Sequence, residues 1–230
     1  MGEWVQIAGP DGVFRAYVAK PAAAPKAAVV AIQEIFGVNA VMRGKADWLA
    51  SQGFLAIAPD LFWRLEKDVD ITDQSEAEWA KAMDLMKRFD IETGLKDIQA
   101  TIDHARGLVD GGKVGAVGYC LGGLLAYLTA TRTDADASVG YYGVNIPNFL
   151  SEAENIRQPL MLHIAGKDGF VPPQAQKQMK DGLAANSHVT LHEYSERDHA
   201  FTREGGKNYD AADAKTADDR TIAFFKANLV

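Results

Sequence analysis

A chain of 230 residues fits one large α/β domain, which commonly exceeds an average of roughly 150 residues, and its 47% hydrophobic and 24% charged composition is that of a globular protein with a sizeable core. The formal charge of -7, with no Lys/Arg-rich run, argues against nucleic acid and anionic membranes as partners. A single cysteine excludes an intramolecular disulfide or a thiolate metal cluster, so no metal is expected and the thiol serves packing or chemistry.

The N-terminal MGEWVQIAGPDG has no basic segment leading into an apolar stretch, and no run reaches the roughly 18 apolar residues of a membrane span, so a cytoplasmic protein is expected. AKPAAAPKAA near residue 20 reads as a surface connection. AVVAIQ (28–33) is a short β-prone run, followed by the loop EIFGVN and a helical pattern through MRGKADWLASQG. FLAIAPD (54–60) reads as a buried strand ending in a Pro-Asp turn. From Arg64 to Thr93 the chain is long and polar, with a helical stretch in SEAEWAKAMDLMKRF, and could carry an insertion over a site. Ile98, Thr101, Ile102, Ala105, Leu108 and Val109 share a helix face, stopped by Gly111 and Gly112.

KVGAVGY is the next strand and GGLLAYLTATRT the next helix; ASVGYYG and PLMLHIAG are strands, PPQAQKQMKDGLAAN a helix, VTLHEYS a strand and DAADAKTADDRTIAFFKANL a closing helix. Such alternation predicts a single α/β domain over residues 1–230, with a mostly parallel central sheet flanked by helices on both faces. Ligands of such sheets gather beyond the carboxyl ends of the strands.

GYCLGG (118–123) lies between a strand and a helix in the form G-x-C-x-G, a nucleophile elbow with sulfur in place of oxygen. The glycines permit a tight turn, and the helix N-terminus beneath the thiol favours a thiolate. Asp168 follows PLMLHIAGK and His199 follows VTLHEYSERD, so the order Cys120, Asp168, His199 is that of the α/β-hydrolases. His199 would accept the thiol proton and Asp168 would fix its tautomer. The backbone N–H of Leu121 and one from the early loop, assigned to Ile35, would form the oxyanion hole. Glu34 is out of place beside a developing anion unless it handles the thiol proton.

His104, His163, His188 and His192 fall in or near regular elements and read as core or surface residues; His199 alone sits in a loop at the expected end. Asp198 reads as a loop acid. Trp63, Trp79, Met83 and Met86 are pocket candidates, although at helical spacing such residues usually mean core.

Across nearly its whole length the sequence resembles the dienelactone hydrolase family of α/β-hydrolases, through QEIFGVN (33–39), APDLF (58–62), GYCLGG (118–123), YYG (141–143), GKDGFVP (166–172) and DHAF (198–201). The resemblance implies a monomeric, cofactor-free hydrolase that opens an unsaturated lactone with Cys120, Asp168 and His199 as triad. It also implies that Glu34 holds the resting thiol neutral and helps to ionise it when substrate arrives. Of the two arginines that hold the substrate carboxylate in the family archetype, Arg203 matches one, while Trp79 falls near the place of the other. An indole cannot replace a bidentate guanidinium, so a less charged lactone or ester fits better. Phe36 and Tyr142, inside the shared motifs, complete the substrate-binding candidates. The alternatives are a general carboxylesterase or thioesterase and, from another class, a redox sensor or binding protein on the same fold.

Overall fold

The computed structural model describes residues 2–230, and the backbone gathers into two compact units, one running to Ala116 and the other Val117–Val230. In the first unit β1 (Glu3–Gly9) and β2 (Gly12–Ala19) form an antiparallel hairpin that closes at Gly9 opposite Gly12, around Pro10 and Asp11. The hydrophobic pattern of the sequence does not reveal this hairpin, because only Ile7 of β1 is buried. β3 (Ala28–Ile32) and β4 (Leu55–Pro59) pair in parallel, with Val30 opposite Ile57, and the strand order is β1-β2-β4-β3. Every residue of β3 and β4 is buried, which requires cover on both faces.

That cover comes from α1 (Ala40–Ser51), packed on β2, β3 and β4, and α3 (Ile91–Leu108), packed on β1, β3 and β4. α1 starts at Asn39, whose side chain accepts the Met42 N–H, and α3 starts at Asp90, which accepts the Thr93 N–H. Within the long polar segment lies α2 (Glu76–Arg88), capped by Ser75, whose Oγ accepts the Glu78 N–H at 3.2 Å and donates to the Glu78 carboxylate at 3.1 Å.

β5 (Val114–Tyr119) runs from the first unit into the second. There follow α4 (Leu121–Arg132), β6 (Ala137–Tyr141), a 3-10 helix (Ile146–Asn155), β7 (Leu160–Ala165), α5 (Pro173–Leu183), β8 (Val189–Tyr194) and α6 (Ala211–Leu229). The strand order is β5-β6-β7-β8, and pairing is parallel at β6–β7, with Gly140 opposite Leu162, and at β7–β8, with Leu162 opposite Leu191. Residues 121–130 of α4 are all buried, so this helix is core on every side. Parallel strands deliver their carboxyl ends to one edge, and Cys120, Tyr142, Asp168 and His199 follow β5, β6, β7 and β8 in turn.

Candidate active site

Between β5 and α4 the chain turns at Cys120, whose φ of 58° is a left-handed conformation uncommon for a residue with a side chain. Gly118 makes the turn possible: a Cβ there would lie 1.8 Å from the Gly122 carbonyl oxygen. The turn is held by the Cys120 amide donating to the Tyr141 carbonyl at 3.1 Å, and by the Cys120 carbonyl accepting from Gly123 at 3.0 Å. Cys120 occupies the N-cap of α4 but makes no side-chain cap bond, so its sulfur is not spent on the helix. Leu121 is the first residue of that helix, where an N–H has no acceptor within the helix and the dipole favours negative charge.

His199 binds Asp168 Oδ2 through Nδ1 at 2.9 Å and also hydrogen-bonds the Cys120 side chain. Relative exposures of 6% for Cys120, 4% for Asp168 and 5% for His199 put these contacts out of bulk water, where electrostatic interactions are strong. Burial opposes charge on the imidazole, but the negative charge of Cys120, the hydrogen bond to Asp168 and the carboxylate charge overcome it and raise the His199 pKa to about 10. The other oxygen of Asp168, Oδ1, accepts the Phe170 and Val171 amides at 2.8 and 3.2 Å, which fixes the carboxylate plane.

Two rings meet the imidazole edge-on: Tyr142, at 5.0 Å and 64°, and Phe170, at 4.8 Å and 69°. Tyr142 is anchored by its hydroxyl to Thr202 Oγ1 at 3.0 Å. Like Cys120, Tyr142 (φ 38°) and Ala200 (φ 62°) hold positive φ, so the backbone is strained at Cys120 and beside His199. Arg203 is buried at 9% exposure on the turn after His199. Phe170, Thr202 and the contacts of Asp198 escaped the sequence reading; the available signal for Phe170 was its place two residues beyond Asp168 in GKDGFVP.

The remaining candidates belong to the first unit. Glu34 and Ile35 are each 3% exposed, so the carboxylate is buried and not a solvated loop charge. Phe36 is buried and its ring lies 6.1 Å from that of Trp79, which is itself 36% exposed on α2. Trp79 and Met83 are therefore surface-facing, not core. The loop bearing Glu34, Ile35 and Phe36 is clasped to the segment before α2: Gly37 bridges Asp70, the Ile71 amide donates to the Phe36 carbonyl at 3.2 Å, and Asn39 Nδ2 donates to the Ile71 carbonyl at 2.9 Å.

A sequence model of the dienelactone hydrolase family matches residues 14–229, a span that runs through both units. The chain belongs to the dienelactone hydrolase family. Among its relatives, the carboxymethylenebutenolidase of Pseudomonas putida is 40% identical over 224 residues, covering 96% of this chain and 95% of the relative. A protein of Azospirillum brasilense, provisionally named carboxymethylenebutenolidase, is 45% identical over 228 residues and 96% of each chain. The crystal structure of a provisionally named dienelactone hydrolase from Klebsiella pneumoniae superposes with a TM-score of 0.87 at 28% identity, covering 98% of each chain. As a member of the dienelactone hydrolase family the protein is a hydrolase with the α/β-hydrolase fold. Among the described residues no helix is long and apolar enough to cross a membrane, and no group of three or more His, Cys, Asp or Glu side chains could hold a metal ion.

Proposed function

We propose that the protein opens a lactone, or cleaves a carboxylic ester, through Cys120, His199 and Asp168, in the manner of a carboxymethylenebutenolidase and within one domain spanning the family match. The observation that carries this reading is the imidazole joined to both the Asp168 carboxylate and the Cys120 side chain, on a strained turn at the end of β5. With its proton on His199, the Cys120 sulfur forms a bond to the carbonyl carbon. The carbonyl electron pair moves onto oxygen, where the Leu121 amide at the start of α4 stabilises it. When that pair returns, the ring or ester C–O bond breaks, and the departing oxygen takes the His199 proton, either as it leaves or after leaving as a stabilised enolate, so that the imidazole is neutral again. Water then attacks the thioester with His199 as base, releasing the acid and restoring the thiol. Every step uses groups of this chain and water.

The roles of Glu34 in managing the thiol proton and of the Ile35 amide as second oxyanion donor belong to the same reading and rest on the family resemblance. The substrate preference rests on the same resemblance: Trp79 falls near the place of the second carboxylate-binding arginine, and an indole cannot replace a guanidinium, so an uncarboxylated lactone or ester is the better substrate. Turnover of paired carboxylated and uncarboxylated lactones, measured with the native enzyme and with Cys120→Ala, tests both points. The expected result is faster opening of the uncarboxylated series and none with Cys120→Ala; native-like turnover by that variant would refute the mechanism.

A further inference from the structure

The turn bearing Asp168 and the turn bearing His199 are joined by a carboxylate that the reaction itself does not use. Asp198 Oδ1 accepts the Gly169 amide at 3.0 Å and the His199 amide at 2.6 Å. The amides that follow Asp168 are thus shared between two carboxylates. Gly169 goes to Asp198, while Phe170 and Val171 go to Asp168 Oδ1, which leaves Asp168 Oδ2 for the imidazole. Further back, the same two turns are laced by the Lys167 amide to the Arg197 carbonyl and the Gly166 amide to the Tyr194 carbonyl, each at 2.8 Å. Asp198 extends that lacing to the catalytic pair, at a point where Ala200, one residue past the histidine, holds a strained φ of 62°.

We propose that Asp198 is a positioning residue for the triad: one carboxylate oxygen clips the acid turn to the histidine turn and thereby fixes the imidazole between Asp168 and Cys120. This rests on the reading of Cys120, His199 and Asp168 as the catalytic set. Amide hydrogen bonds to a carboxylate are shorter and stronger than those to a neutral oxygen, which suits a clip made of only two bonds. The side chain is solvent-exposed, so its charge is screened and its influence on the imidazole runs through geometry. Misplacement of a catalytic group by about 1 Å can cost on the order of a hundredfold in rate.

The test is steady-state hydrolysis of p-nitrophenyl acetate by the native enzyme and by Asp198→Ala, Asp198→Asn, Asp198→Glu and Cys120→Ala, with melting temperatures and pH profiles recorded alongside. Asn keeps an accepting oxygen in place without the charge, whereas Glu keeps the charge and moves the oxygen. The clip predicts a kcat lowered roughly tenfold to a hundredfold in Asp198→Ala and Asp198→Glu, with KM little changed, and most of the rate recovered in Asp198→Asn. Native kcat in Asp198→Ala, or a loss confined to KM, would overturn it. So would a ranking in which Glu rescues and Asn does not. Should Asp198→Ala fail to fold, the comparison of Asn with Glu decides alone. Full turnover by Cys120→Ala would bring down the triad and the clip together, while an inactive Cys120→Ala beside a native-like Asp198→Ala would remove only the clip.

Discussion

Asp168 has two oxygens with different tasks, and this makes its amide variant informative. Oδ1 faces the Phe170 and Val171 amides, and Oδ2 faces His199 Nδ1. In Asp168→Asn the side-chain oxygen must stay toward the two backbone donors, so the NH2 group turns toward the imidazole. Nδ1 then has to accept, which places the imidazole proton on the nitrogen needed to receive the thiol proton. The fold should survive, because the backbone bonds are kept, but kcat should fall by about a hundredfold to ten-thousandfold. Loss of the carboxylate charge should also lower the His199 pKa from its value of about 10, which an NMR titration of the imidazole would show.

At the scale of elements, the parts legible in the sequence were those whose burial is uniform or whose order is fixed. β3 and β4 appear as plain apolar runs because both faces are covered, and α3 shows its 3.6-residue stripe because one face is. The meeting of Cys120, Asp168 and His199 was legible because an elbow between strand and helix leads to an acid and a histidine in the loops after later strands. β1 escaped because it is the end strand of its unit and mostly exposed, with only Ile7 buried, although Gly-Pro-Asp-Gly marks its turn. The 3-10 helix Ile146–Asn155 escaped because only Ile146 and Ala153 of it are buried, and Asn145, Pro147 and Asn148 at its start read as a loop. Burial of Glu34 could not be read either, since composition treats a loop carboxylate as solvated and only the clasp between 36–39 and 69–71 shows otherwise. The Asp198 clip acts on backbone amides, which carry no sequence identity.

Across the whole molecule, histidines shifted in opposite directions set how stability varies with pH. His163 is buried, bonded through Nδ1 to the Tyr194 hydroxyl and through Nε2 to Thr221 Oγ1, each at 3.0 Å. Burial, with His192 and Arg220 adding repulsion, pushes its pKa well below the ordinary value, and burial lowers that of His192 as well. Both therefore contribute stability that is present above the unfolded pKa of about 6.5 and is lost as pH falls below it. His199 has the reverse sign. Its folded pKa is raised to about 10, so its contribution is complete below about 6.5 and disappears as pH rises toward 10. These groups together predict a maximum in stability near neutral pH. Urea midpoints measured across pH 5 to 10 should decline on both sides, with the alkaline decline flattened in His199→Gln and the acid decline reduced in His163→Gln. An alkaline decline unchanged in His199→Gln would contradict the assignment.

Covalent bonding of the Cys120 sulfur to the acyl group of the substrate is the proposed step on which all the others depend. It is tested most directly by quenching the enzyme in acid within its first turnovers of an activated ester, then sequencing its peptides by mass spectrometry. The predicted result is a single acyl group on the peptide containing GYCLGG, attached at Cys120, formed no more slowly than steady-state turnover and absent from Cys120→Ala. Acylation at another residue, or full turnover with the Cys120 thiol never modified, would contradict it.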